Sequence, residues 1–259
     1  MSNESTTPRA ICTACSLGDF CYPKDLPARL SGLLPMVSPH RRRLAPGEVL
    51  FRSGEQQKAI YAVKSGCFQS TVPLGDGRNQ TSSFAIIGDV LGLDAIGDGL
   101  HRSDTSALSA AEVCEIPILK FDCLLEHGES AVAARRMLGV EVNRAAEHAV
   151  SLAGLSARQR VAGFLVDFAQ RWQARGFPAD AFVLPMSRAE LGNYLGLTAE
   201  TVTRELTKLR NRNLITVSGK HVRIHDQVAL REIRATPDKP AETRMPRQKG
   251  NVLSFRGAR

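Results

Sequence analysis

The spacing of hydrophobic positions changes about halfway along the chain. Between residues 26 and 128 these positions form short alternating runs, for example Ile60, Ala62 and then Cys67, separated by glycine-containing turns. Alternation with a period of two and frequent turns is typical of half-buried strands. This part of the chain therefore predicts an all-β barrel or jelly roll.

From residue 129 to residue 155 the apolar positions recur at steps of three and four, which predicts one long amphipathic helix. The stripe on this helix consists of Met137, Leu138, Val142, Ala145, Ala149 and Leu152. A helix of this length must bury its stripe against its own barrel or against a second copy of the chain. The pattern favours the second copy, and hence a homodimer.

The segments "SRAELGNYLG" and "TAETVTRELTKLRNRN" have the organisation of a helix-turn-helix. Ser187 can cap the first helix, with Glu190 completing a capping box. Gly196 permits a tight turn, and Thr198 can cap the second helix. A strand–turn–strand segment, "LITVSGKHVRIHD", follows and predicts a hairpin.

The second of these helices carries a polar face made of Glu200, Thr203 and Arg204, at spacings of three and four. Arginine can pair with two acceptor atoms of guanine, and glutamate can accept from cytosine, so this face is suited to base edges in a major groove. Lys220 in the hairpin is placed to contact phosphates as a wing, and we expect the cap residues Ser187 and Thr198 to belong to the DNA-binding set as well. The alternative is a helix pair inside an enzyme, with Arg204 in a surface salt bridge.

Composition adds weak support for an anionic partner. The net charge is +8 with a pI near 9.5, which suits nucleic acid but also an ordinary basic surface. No apolar run approaches the ~20 residues of a membrane span, and the first ten residues lack the apolar core of a secretory signal. We expect a cytoplasmic protein whose thiols stay reduced.

Cys12, Cys15 and Cys21 lie within ten positions of one another near the start of the chain. Without an export signal, such a cluster indicates a metal or redox role rather than disulfides. Four thiolates suit either a zinc ion or an iron–sulfur cluster, and the residue types alone do not decide between them. The candidates for a fourth ligand are Cys67, Cys114 and Cys123.

An N-terminal Cys-x2-Cys-x5-Cys, a β-roll, a long helix and a winged helix-turn-helix containing "GNYLGLTAETVTREL" together resemble the Crp/Fnr regulators. Within that family the likeness is to the oxygen-sensing fumarate-and-nitrate-reduction type, and "DAIG" and "VCEIP" strengthen it. The resemblance covers roughly residues 10 to 235. It implies a 4Fe–4S cluster held by Cys12, Cys15, Cys21 and Cys114.

The resemblance also implies a function. A homodimer with an intact cluster binds palindromic, TTGAT-like double-stranded promoter DNA, and oxygen degrades the cluster and loosens the dimer. Such a protein is an oxygen-responsive regulator of anaerobic gene expression. A β-roll turn that includes Gly77 and Arg78 corresponds to the family's contact with RNA polymerase.

Three positions depart from the family pattern. Ala145 stands where an acidic residue opposes pairing of the dimer helix, so we predict a dimer that persists more readily in air. Arg78 replaces a common acid in the polymerase turn, which weakens that assignment. Thr203 replaces serine but keeps the hydroxyl, so we expect a similar half-site.

Other functions have less support. A cyclic-nucleotide-responsive regulator would use Arg102 and Ser103 for the cyclic phosphate, but Leu93 stands where the ribose needs a glutamate. A zinc-bearing or thiol-redox regulator on the same scaffold has the same ligand types. An iron–sulfur DNA-repair enzyme would need a positioned carboxylate or lysine beside a base-flipping pocket. We find no such constellation and expect no enzymatic activity.

The predicted fold class is therefore α+β, with an N-terminal β-roll, a dimerisation helix and a C-terminal winged helix-turn-helix. The predicted regions are a cysteine segment at 1–25, a β-roll at 26–128, the dimerisation helix at 129–155, a DNA-binding domain at 156–235 and a disordered basic tail at 236–259.

Overall fold

The computed structural model describes residues 40–126 and 128–236 of the 259-residue chain. The predicted cysteine segment and nearly all of the predicted tail lie outside these ranges. The described part of the N-terminal unit contains eight strands and a short 3-10 turn at Leu93–Ala95. The strands are β1 (His40–Leu44), β2 (Val49–Phe51), β3 (Ala59–Ser65), β4 (Cys67–Pro73), β5 (Asn79–Ile86), β6 (Val90–Leu91), β7 (Asp104–Ala107) and β8 (Ala111–Pro117).

These strands form two antiparallel sheets, ordered β1-β8-β3-β6 and β2-β7-β4-β5. Alternate side chains of both sheets point into one core, where Val63 and Val113 of the first sheet meet Phe51 and Phe68 of the second. Val63, Phe68 and Val113 have no exposed surface. Two sheets around a shared core are the β-roll that the alternating pattern predicted.

The rest of the described chain is mostly helical. The helices are α1 (Ile118–Leu125), α2 (Gly128–Gly154), α3 (Ala157–Gln173), α4 (Arg188–Leu195), α5 (Ala199–Asn211) and α6 (Gln227–Ala235). A small sheet ordered β10-β11-β9 joins them, with β9 at Ala181–Val183, β10 at Ile215–Ser218 and β11 at His221–Ile224. The sequence pattern did not predict β9 and α6, but the predicted α+β class with a C-terminal helix-turn-helix is confirmed.

Residues 157–235, called the C-terminal unit below, pack against the outer face of β5. Phe84 of β5 contacts Phe164 of α3 and Tyr194 of α4, with ring centroids 6.4 Å and 5.2 Å apart. Apolar side chains of β4, β5 and the C-terminal unit form one continuous core. None of the described helices is long and apolar enough to cross a membrane.

Candidate nucleic-acid interface and cysteine site

The caps predicted for the helix-turn-helix are present. The Ser187 hydroxyl accepts the Glu190 backbone N–H at 3.1 Å, and the Glu190 carboxylate accepts the Ser187 N–H, which completes the capping box. The Thr198 hydroxyl accepts the N–H of Thr201 at 3.2 Å and so begins α5. These hydrogen bonds fix the start of both helices.

The turn between α4 and α5 depends on two glycines. Gly196 ends α4 with a φ of 62°, in the left-handed region that glycine tolerates. A Cβ on Gly192 would lie 2.7 Å from the Leu197 carbonyl oxygen, so the two helices approach too closely for any side chain there. This close crossing is typical of a helix-turn-helix.

Burial of one side of α5 determines which side faces solvent. Val202, Leu206 and Leu209 are at most 4% exposed and pack into the core of the C-terminal unit. Glu200, Thr203 and Arg204 consequently lie on the exposed side, which is called the reading face below. The predicted separation of a buried stripe from a polar face is confirmed.

The reading face carries both positively and negatively charged side chains. The Arg204 side chain is 63% exposed and is 3.6 Å from the carboxylate of Glu205, which is itself buried in α5. Hydrogen bonds from its own backbone N–H and from the Thr198 hydroxyl lower the pKa of Glu200, so Glu200 is ionised and accepts hydrogen bonds at neutral pH. Thr203 donates its hydroxyl hydrogen to the Ala199 carbonyl oxygen at 2.8 Å.

Two cationic side chains connect the wing to the start of α4. The ammonium group of Lys220 donates to the Pro185 carbonyl oxygen at 2.6 Å, and the guanidinium of Arg188 donates to the Gly219 carbonyl oxygen at 3.2 Å. Arg188 also lines a groove shared with Thr203 and Arg210. Sequence reasoning missed Arg188, although its position directly after the Ser187 cap was a usable signal.

Cys114 lies in β8, the second strand of its sheet, and is partly buried. Its neighbour Val113 points into the β-roll core, so alternation puts Cys114 on the outer face of the sheet. In register it lies opposite Arg41 of β1 and Ala62 of β3. The Cys114 side chain therefore lies on the outer face of the β-roll, beside the edge strand β1.

The other cysteines differ from Cys114 in their surroundings. Cys67 is 3% exposed, and burial raises the pKa of its thiol to about 12, which opposes the thiolate form that binds metals. Cys12, Cys15 and Cys21 lie outside the described residues, as does the side chain of Cys123. Within the described ranges, no three His, Cys, Asp or Glu side chains are arranged to hold a metal ion.

The loop that carries Arg102 and Ser103 is closed by a carboxylate of the chain itself. Asp94 accepts the backbone N–H groups of Arg102 and Ser103, at 2.8 Å and 3.2 Å, and the Ser103 hydroxyl at 3.0 Å. It also bonds to the ring of His101, which is 2% exposed and stacks on Phe51. The Arg102 side chain is paired with Asp98. Asp94 thus takes the hydrogen bonds that a bound phosphate would require.

The β4–β5 hairpin presents the predicted polymerase turn at its tip. Gly77 has a φ of 82°, and the Arg78 guanidinium is 2.6 Å from the Asp76 carboxylate. This contact lowers the pKa of Asp76. Both side chains are exposed, at 77% for Arg78 and 51% for Asp76, so the turn presents an ion pair rather than a single charge.

The side chains of the predicted stripe on α2 lie in three different surroundings. Met137 packs on the outer face of the β-roll against Ile116 and Phe121. A methyl carbon of Leu152 approaches the turn at Gly196. The remaining members of the stripe, which are partly or fully exposed in the single chain, are Leu138, Val142, Ala145 and Ala149.

A β-roll, a long helix and a winged helix pair with an exposed polar reading face define a transcription regulator that binds DNA. Residues 41–127 match the cyclic nucleotide-binding domain, and residues 159–233 match the Crp-like helix-turn-helix domain. The chain belongs to the Crp/Fnr family of transcriptional regulators, whose members are not enzymes.

Named relatives cover most of the chain. The anaerobic regulatory protein of Pasteurella multocida is 34% identical over 229 residues, which span 87% of this chain and 83% of that protein. The fumarate and nitrate reduction regulatory protein of Escherichia coli is 32% identical over 223 residues, spanning 86% and 89%. The structure of FixK2 from Bradyrhizobium japonicum superposes with a TM-score of 0.71 at 28% identity, covering 77% of this chain and 99% of FixK2.

Proposed function

We propose that this protein is an oxygen-responsive, cytoplasmic regulator of anaerobic gene expression. It binds palindromic, TTGAT-like promoter DNA as a homodimer when a 4Fe–4S cluster is held by Cys12, Cys15, Cys21 and Cys114. The observation that carries this proposal is the reading face of α5, whose side chains are exposed on a capped and packed helix pair. The relatives named for anaerobic regulation support the physiological part.

The described part of the cysteine site fits such a cluster. Cys114 is partly exposed on the outer face of the β-roll, where its thiolate can act as one of the four ligands of a cluster. The guanidinium of Arg41, on the neighbouring strand, is 3.9 Å from the Glu112 carboxylate, so its charge is partly balanced. The 20 residues from Cys21 to Arg41 can span up to roughly 70 Å, so chain length allows the N-terminal thiols to reach Cys114. When bound, the cluster supplies a redox-active centre that molecular oxygen degrades.

The homodimer is supported by the middle of α2. Val142 is 67% exposed and Val150 is 68% exposed, and Ala145 and Ala149 lie exposed near them. An apolar stripe on a helix is stabilised when a second copy covers it. Two copies joined along α2 present two reading faces to successive major grooves of a palindrome.

Contact with RNA polymerase is proposed for the turn at Gly77 and Arg78. The turn is at the exposed tip of the β4–β5 hairpin, where a partner can reach it. Because Arg78 is paired with Asp76, recognition there would involve both charges.

A cyclic-nucleotide-responsive regulator is the less favoured alternative. Asp94 already satisfies the backbone groups of Arg102 and Ser103, and a second anion there would face its carboxylate at close range. A zinc-bearing or thiol-redox regulator would use the same cysteines. The metal content and colour of the purified protein distinguish it from the proposed regulator.

The first experiment is spectroscopic. Protein purified without oxygen is expected to be brown, to contain iron, and to bleach in air together with loss of DNA binding. Cys114→Ser should remove the colour and the oxygen-dependent DNA binding, whereas Cys67→Ala should keep both because Cys67 is a core residue.

Several outcomes would contradict the proposal. Colourless protein with stoichiometric zinc would favour the zinc regulator. A Cys114→Ser variant that still binds its operator only without oxygen would exclude Cys114 as a ligand. Binding of a cyclic nucleotide in calorimetric titration would favour the remaining alternative.

A further inference from the structure

Asn193 of α4 fastens the helix-turn-helix to the start of β5. Its side-chain oxygen accepts the Thr81 backbone N–H, and its side-chain nitrogen donates to the Asn79 carbonyl oxygen at 3.0 Å. The Gln80 side chain donates to the Asn193 carbonyl oxygen. Three consecutive residues of one strand therefore hold a single residue of the first DNA-binding helix.

A buried carboxylate makes a second connection. Asp89, in the turn between β5 and β6, is 5% exposed and forms ion pairs with Arg171 and Arg175 of α3. Arg144 of α2 reaches the same carboxylate at 3.7 Å. Burial alone would raise the pKa of Asp89, but the three guanidinium groups outweigh it and lower the pKa. One charged group thus joins the β-roll, the long helix and the C-terminal unit.

Tyr194 connects the same three parts through ring contacts. Its ring stacks on His148 of α2 with centroids 4.0 Å apart, and it lies 5.2 Å from Phe84 of β5. Burial raises the pKa of Tyr194 to about 12, so the phenol remains neutral in this contact.

These contacts restrict the orientation of the C-terminal unit, because the connection between α2 and α3 is short and loosely packed. Only Leu155 and Ser156 separate α2 from α3, and, apart from adjacent residues and the helix's own backbone, no atom of the described residues lies within 4 Å of the position where Gly154 would carry a Cβ. A unit attached through so few residues can pivot unless other contacts hold it. The shared apolar core around Phe84 keeps the C-terminal unit against the β-roll, and the directional contacts at Asn193 and Asp89 fix its angle while the reading face stays exposed.

We propose that Asn193 and Asp89 are positioning residues that determine which half-site spacing the homodimer accepts. This inference rests on the proposed function, because it requires a homodimer on palindromic DNA. The two reading helices must enter major grooves one helical turn, about 34 Å, apart. Since α2 defines the dimer axis, the docking of each C-terminal unit beside α2 sets the distance and angle between the reading faces.

The base pairs between the two half-sites are called the spacer below. Rigidly docked and loosely docked C-terminal units differ in how strongly DNA binding depends on the length of this spacer. One added base pair rotates a half-site by roughly 34° relative to the other, which a fixed pair of reading faces cannot follow. Loosened units can follow the rotation, but they lose more conformational freedom on binding the native spacer. Spacer preference therefore reports docking separately from base recognition.

The experiment compares the full-length wild type, Asn193→Ala and Gln173→Ala, all prepared without oxygen. Binding is measured at one salt concentration on palindromes with the native spacer, with spacers one base pair shorter or longer, and on a single half-site. Asn193 is exposed, so its alanine variant is expected to fold, and Gln173→Ala removes an exposed amide at the end of α3 as a control.

Wild type and Gln173→Ala are expected to discriminate strongly against the altered spacers. Because the Asp89 ion pairs and the shared core remain, Asn193→Ala should bind the native spacer more weakly by up to roughly tenfold, lose part of the discrimination, and keep its affinity for the single half-site. An Asn193→Ala variant with the spacer preference of the wild type would overturn this inference alone. A wild type that does not bind the palindrome would overturn the proposed function and this inference with it.

Discussion

Replacing Asp89 with asparagine removes one charge from a buried ion cluster and keeps the size of the side chain. The side chains of Arg171 and Arg175 are 10% and 11% exposed, so water cannot substitute for the lost carboxylate. The amide oxygen of asparagine can still accept the Ile86 backbone N–H, which Asp89 accepts at 2.8 Å. The substitution therefore removes the negative charge and one of the two oxygen acceptors that face Arg171 and Arg175, at nearly constant side-chain size.

The expected cost is large. Removing one partner of a buried ion pair destabilises a protein by about 3–5 kcal/mol, because the remaining charges are left uncompensated. A typical domain has an unfolding free energy of only about 5–15 kcal/mol. As a control, Asp76→Asn breaks the exposed pair with Arg78 and should leave the free energy of unfolding essentially unchanged, because water solvates both groups.

The assay is urea unfolding followed by circular dichroism at several pH values. Because the pKa of Asp89 is lowered in the folded protein, its contribution is complete above the unfolded-state value of about 3.9 and is lost as the pH falls through the lower folded-state value. The stability difference between wild type and Asp89→Asn should therefore shrink below about pH 4. A difference under about 1 kcal/mol at pH 7, or one that does not change with pH, would refute the reasoning.

Two further predictions concern DNA recognition and dimerisation. Arg204→Ala should weaken operator binding by about 1–3 kcal/mol and relax the preference at one guanine, as measured by competition among operator variants. Equal loss on every sequence would instead mark Arg204 as a phosphate contact. In sedimentation of aerobic, cluster-free protein, the wild type should retain dimer whereas Ala145→Glu should not, since like charges would face each other across the seam. A wild type that sediments only as monomer would contradict this prediction.

Local chemistry made the helix-turn-helix predictable from the sequence. The caps at Ser187 and Thr198 involve N–H groups three residues away, so they depend on neighbours within the same turn of chain. The left-handed conformation of Gly196 likewise follows from the close turn that glycine permits. Alternation and turn residues indicated the β-roll in the same local way.

Contacts between distant segments were not predictable. Asp89 and Arg171 are 82 positions apart, and neither the Gly-Asp turn nor a helical arginine indicates that the two meet. Arg102 and Ser103 were plausible phosphate ligands as residue types, but Asp94 occupies their backbone hydrogen bonds. The sequence shows which groups are available, and only the fold shows which of them are already in use.

The long helix α2 shows why a periodic pattern alone cannot assign partners. Its predicted stripe is continuous in sequence, yet Met137 packs on the β-roll and Leu152 on the turn at Gly196. Val142 and Ala145, between them, stay exposed. Periodicity identifies apolar positions but carries no information about what covers each of them. Both possibilities for the stripe therefore apply to different parts of it. The chain itself covers the two ends of the stripe, and the exposed middle is the part that the proposed homodimer would cover.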